Sequence, residues 1–99
     1  MAMELFTALK TGKSSGRITA STNHSLYSHY AGFKRVTHTS YNHSKNGLEN
    51  HQVAAVKAVE MMVARWIDNN PNATQMIEPK IVGVSDTHSN GYTFLISGM

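Results

Sequence analysis

Between Asn46 and Asp68 apolar residues recur at helical spacing, and no other stretch of the chain is as regular. Val53, Val56, Val59, Val63, Trp66 and Ile67 form a stripe, widened by Ala55 and Met62. Asn46 is a favoured N-cap with Glu49 at the capping-box spacing, and Asn69-Asn70-Pro71 ends the run. The spacing predicts one long helix over 46–68. Its valine stripe is expected to pack on a sheet. The other face carries Lys57, Arg65 and Asp68 among Ala54, Ala58, Met61 and Ala64. Two readings of that face stand open: a surface that meets a partner, or an ordinary exposed face rich in the best helix former.

The rest of the pattern is strand-like. Met3 to Leu9 alternates loosely, with Leu5 and Phe6 as core candidates, and the polar, glycine-bearing stretch 10–16 is expected to turn. Arg17 to Thr22 forms a second strand with Ile18 and Ala20 on one face. Residues 23–32 are irregular; Leu26, Tyr27 and Tyr30 there either pin the loop or offer rings to stack on bases. Phe33 to Tyr41 is a third strand, with Val36, His38 and Ser40 on one side and Phe33, Arg35, Thr37, Thr39 and Tyr41 on the other. The continuous apolar run Ile81-Val82-Gly83-Val84 suits a strand covered on both faces. Asp86 to Gly91 should turn, and Tyr92 to Ser97 alternates as a last strand. The fold expected is α+β: a mixed, mainly antiparallel sheet of about five strands, edged by the Ile81 strand, with one long helix packed on it through Val56, Val59, Val63 and Trp66.

Ninety-nine residues predict a single domain, 1–99, and a hydrophobic share of 40% permits a modest core. The absence of cysteine excludes a disulfide framework, a thiolate zinc site and a cysteine nucleophile. No signal-peptide pattern and no apolar run of membrane-spanning length is present, so a cytoplasmic protein without membrane contact is expected. The net charge of +3 matters less than its placement. From residue 1 to 48 Glu4 is the only acid, against Lys10, Lys13, Arg17, Lys34, Arg35 and Lys45. His24, His29, His38 and His43 lie in the same half. Those six cations are the candidate contacts to a polyanion, although the same charge also serves solubility.

Candidate chemistry is sparse. Gly12-Lys13-Ser14 resembles the end of a phosphate-binding loop, but Thr7 stands where that loop needs a glycine. No His-x3-His pair lies on the helix, and no metal or other cofactor is expected. Glu49 has a sufficient role as a capping acid. His51, Asp86 and His88 should meet where the helix starts and the fourth strand ends, supplying a general base and an orienting acid. Asp86, His51 and Glu49 are therefore the catalytic candidates.

Several of these segments together resemble the ribonuclease H fold. Leu5-Phe6-Thr7-Ala8 is similar to that family's first strand, and Gly16-Arg17-Ile18-Thr19-Ala20 to its second. Ser44-Lys45-Asn46-Gly47 with Val53-Ala54-Ala55-Val56 resembles its turn and first helix, and Ile81-Val82-Gly83-Val84-Ser85-Asp86 its fourth strand with a terminal acid. The resemblance implies catalytic carboxylates at three places. The first falls on Ala8, the second on His51, and Asp86 alone stands in position. The family's last acidic position falls beyond Met99. Two-metal phosphodiester hydrolysis needs several converging carboxylates, so a degenerate, truncated, non-catalytic relative is implied.

Three functions follow as expectations. The first is a small module that binds nucleic acid, RNA or an RNA–DNA hybrid, through Lys10, Lys13, Arg17, Lys34, Arg35 and Lys45. The second is a protein-interaction factor, an inhibitor or accessory subunit, acting through Ala54, Lys57, Ala58, Met61 and Arg65. That face also suits a symmetric homodimer. The third is a divergent metal-dependent nuclease.

Overall fold

The computed structural model describes residues 7–24, 26–27, 32–88 and 91–98. Three strands come first: β1 (Thr7–Ser14), β2 (Arg17–Thr22) and β3 (Lys34–Ser40). A single helix, α1 (Gly47–Asn69), leads to β4 (Lys80–His88) and β5 (Gly91–Ser97). They form one five-stranded sheet in the order β3-β2-β1-β5-β4. Every neighbouring pair is antiparallel, so the α+β class holds with a wholly antiparallel rather than mixed sheet.

β1 runs further than its sequence suggests. Residues 10–14, expected in a turn, belong to the strand, and only Ser15 and Gly16 make the connection. Both have positive φ, 52° and 75°, the requirement of a two-residue hairpin whose twist matches its strands. β4 likewise extends to His88, through residues expected to turn. Leu5, Phe6, Tyr30 and Asn90, for which roles were expected, lie outside the described residues.

The core lies between one face of the sheet and the helix. Leu9, Ala20, Phe94 and Ile96 from the strands meet Ala55, Ala58 and Met62, all fully or almost fully buried. This turns α1 about its axis from the expected orientation, although Ala55 and Met62 of the expected inner stripe stay buried. Ala54 and Ala58, expected on the outer face, are both 0% exposed, whereas Val56, expected inside, is 48% exposed. Val59 packs at the margin of the core, and Val63 and Trp66 are half-buried. The reason is steric: small alanines let the helix backbone approach a sheet whose own large side chains already fill the interior. His51, Ala54, Ala55, Ala58 and Met62 also keep helical spacing, so the buried stripe is as regular as the valine one. With Ala54 and Ala58 inside, the surface proposed to carry them with Lys57, Met61 and Arg65 does not exist; the last three are exposed without them.

α1 lies over β3, β2, β1 and β5 and makes no comparable contact with β4. Ile81, Val82 and Val84 are correspondingly exposed, contrary to burial on both faces; the edge position expected for this strand is the one it takes. At the helix start Asn46 accepts the Glu49 N–H at 2.8 Å, as an N-cap should. At its end the Asn70 side chain donates to the Trp66 carbonyl at 2.8 Å.

Candidate functional site

The polar centre of the molecule sits where α1 begins over β1 and β5. Thr11 and His51 are both buried, and the threonine hydroxyl lies 2.6 Å from His51 Nδ1. The same hydroxyl lies 3.4 Å from the Tyr92 carbonyl. A hydroxyl has one proton, so it serves one acceptor and can receive an Nδ1–H at its lone pairs; either tautomer holds the ring. The Tyr92 ring meets His51 edge-on at 4.9 Å between centroids. Around them opens a cavity of about 200 Å³, reached by Lys13, Tyr41, Asp86 and the backbone at Gly47 and Gly91. The Lys13 ammonium lies 4.0 Å from the Tyr41 ring centroid, a cation–π contact.

One buried residue holds the rim. Asn50 accepts the Asn42 N–H at 2.7 Å and donates to the carbonyls of Asn42, Lys45 and Asn46 at 2.9, 3.2 and 2.9 Å. Its amide thereby ties the loop after β3, with Tyr41 at its base, to the first turn of the helix. Asn42 accepts both the N–H and the hydroxyl of Ser44 in a local turn.

Sequence reasoning placed His51 and Asp86 together, and they share this cavity. The His88 side chain lies outside the described residues. Thr11, Asn50 and Tyr92 were missed. Thr11 was hidden in an expected turn, and Asn50 stands in the polar run Glu49-Asn50-His51-Gln52, where nothing in the sequence sets it apart. An imidazole and a carboxylate in one cavity are the minimum for acid–base chemistry, but the ring is anchored to the core through Nδ1. Replacing Thr11 by valine keeps the shape and removes this hydrogen bond from a buried ring. We expect a loss of about 1–3 kcal/mol, measured by urea unfolding.

The candidate carboxylate positions do not converge. Ala8 pairs with Leu95 on the sheet face away from the helix, while His51 and Asp86 lie on the helix side. Glu49 is an exposed N-terminal helix residue beside Lys45 and Gln52. Among the described residues no three His, Asp or Glu side chains are grouped to hold a metal ion.

The six basic candidates do not form one patch. Lys13 faces the helix side at the cavity, and Lys45 lies in the helix entry. Arg35 lines a groove of about 590 Å³ at the far end of α1, with Tyr27, Met61 and Arg65. There the Arg65 guanidinium sits 4.5 Å from the Tyr27 ring; burial raises the tyrosine pKa and the nearby cation opposes the rise. Burial lowers the pKa of His24, whose Nδ1 accepts the Leu26 N–H at 3.1 Å in the adjoining turn. Lys34 is exposed on β3.

Lys10 and Arg17 belong to the other face of the sheet. Lys10 alternates with the buried Leu9 and Thr11, and Arg17 precedes the buried Ile18. His38, paired with Thr19, joins them, and the Lys10 ammonium lies 4.3 Å from the Phe33 ring. Among the described residues no element covers this face, and none of the acids is on it. Glu49, Glu60 and Asp68 are on the helix, Glu78 precedes β4, and Asp86 is at the cavity. No described helix is long and apolar enough to cross a membrane. No protein family, curated protein or solved structure matches the chain.

Proposed function

We propose that the protein is a small, non-catalytic nucleic-acid-binding module, ribonuclease H-like in the order of its elements, whose contact surface is the uncovered face of the sheet. The observation that carries this reading is the charge on that face: Lys10 and Arg17, beside the imidazole of His38, among serines and threonines, with every described acid elsewhere. Phe33, about a third exposed beside Lys10, adds a ring on which a base can stack. Ala8, where the resemblance calls for a carboxylate, opens on the same face and supports binding without cleavage.

Fluorescence anisotropy with labelled single-stranded RNA and an RNA–DNA hybrid, across a salt series, tests it. The wild type should bind both, with a log–log salt slope of about −0.7 for each phosphate contacted on the single strand. Lys10→Glu with Arg17→Glu should weaken binding at least about tenfold and flatten that slope. Lys57→Glu, the same kind of charge change on the exposed side of α1, should leave affinity nearly unchanged. Binding indifferent to the Lys10 and Arg17 changes would sink the proposal, and magnesium-dependent cleavage of either probe would replace it with the nuclease reading.

A further inference from the structure

Gly12 is a residue the fold does not ask for. It lies inside β1 between Thr11, which is buried, and Lys13, which faces the cavity, so its missing side chain belongs to the uncovered face of the sheet. Unlike Gly16, Gly32 and Gly98 it has no positive φ. Apart from its chain neighbours, no described residue comes within 4 Å of a Cβ built on it. A glycine inside a strand costs stability. Where neither conformation nor crowding requires one, it marks a place where a ligand approaches the backbone closely. The surroundings keep this spot bare. Its partner on β5 is Gly91, and on β2 it is Thr19. Lys10 stands about 7 Å away along β1, and Ser14, paired with Arg17, as far on the other side. The Phe33 ring meets the Lys10 ammonium at the edge of the same face.

From this we infer that Gly12 is the floor on which one unpaired base lies flat, with the phosphates on either side of it held by Lys10 and Arg17. Resting on the nucleic-acid reading above, this makes the preferred ligand a single strand rather than a duplex. In a duplex each base is paired and stacked between its neighbours, and a flat sheet meets only the phosphates and sugars. A free strand can splay a base out. Two long cationic side chains then flank the bare floor, one for each neighbouring phosphate, and Phe33 offers its ring to the next base. Any side chain at position 12 would stand where the base lies.

Gly12→Val tests this, with binding and stability read on the same protein. Fluorescence anisotropy should show the wild type binding single-stranded RNA at least about tenfold more tightly than an RNA–DNA hybrid. The valine fills the floor, so it should weaken single-strand binding about tenfold or more and close that gap. The same variant should melt at or above the wild-type temperature, because a β-branched residue replaces glycine in a strand. Gly12→Ala should raise the thermal midpoint by a few degrees and show a smaller loss of binding. Either variant melting well below wild type would mean that the fold itself needs the glycine, and overturns the inference. So does a wild type without preference for the single strand, or a preference that survives the valine. A wild type that binds neither probe removes the nucleic-acid reading, and this one with it.

Discussion

Ala58→Arg is expected to abolish cooperative folding. Ala58 has no exposed surface and lies in the cluster formed by Leu9, Ala20, Ala55, Met62, Phe94 and Ile96. A guanidinium there finds neither room nor a partner. It must push the helix off the sheet or leave a buried charge, at a cost of several kcal/mol against a total stability of about 5–15 kcal/mol. The valine-inside arrangement drawn from sequence requires the opposite, a folded Ala58→Arg protein. Val56→Arg is the internal comparison: at 48% exposure it should leave a cooperative thermal transition near wild type. Circular dichroism melts of the two variants read the orientation of α1 directly. A cooperative melt for Ala58→Arg with loss of structure in Val56→Arg would mean the helix is turned the other way.

Asn50→Ala should be the most damaging polar substitution. Four contacts converge on that amide; alanine leaves the Asn42 N–H and the Lys45 carbonyl to find water at a half-closed loop, while the Asn42 and Asn46 carbonyls keep the backbone N–H groups of Lys45 and Asn50. The amide has two N–H protons to share among three carbonyls and accepts one N–H, so three full hydrogen bonds are lost; at about 1 kcal/mol each the expected loss is about 3 kcal/mol, read from the urea midpoint. Asn50→Asp sharpens the test. A carboxylate still accepts from Asn42 but turns a negative oxygen toward three carbonyls. Its folded pKa is therefore raised, its destabilisation is greatest at neutral pH, and stability should partly return as falling pH protonates it. The loop positions Tyr41 over Lys13 at the cavity rim, so loosening it should also broaden the Tyr41 ring signals in NMR spectra before global unfolding. An Asn50→Ala protein as stable as wild type would show that the loop is held by something else.

What local chemistry determines was legible in the chain. The helix begins at Asn46 and ends before Pro71 because a side-chain acceptor and a missing backbone donor act within one turn of themselves. β2 has the bounds its alternation indicates, and β5 ends where expected at Ser97 and begins one residue earlier, at Gly91. That His51 and Asp86 line one cavity follows from their places at the ends of elements whose order was known. The strand ends at Ser14 and His88 were not legible: a two-residue hairpin leaves polar residues paired, and ladder hydrogen bonds do not depend on side-chain polarity.

Tertiary structure alone decided the rest. α1 is apolar almost all round, so periodicity marked a helix without choosing its inner face; the close approach that alanine permits made the choice. The basic half of the chain looked like one surface because charge was counted along the sequence. Alternation in β1 sends Lys10 to one side of the sheet and Lys13 to the other, and the hairpin and β3 scatter the remaining cations. Sequence by itself determined the elements, their order and the sign of the charge. Which residues share a face depends on pairing and packing between segments far apart in the chain, and no local pattern encodes that.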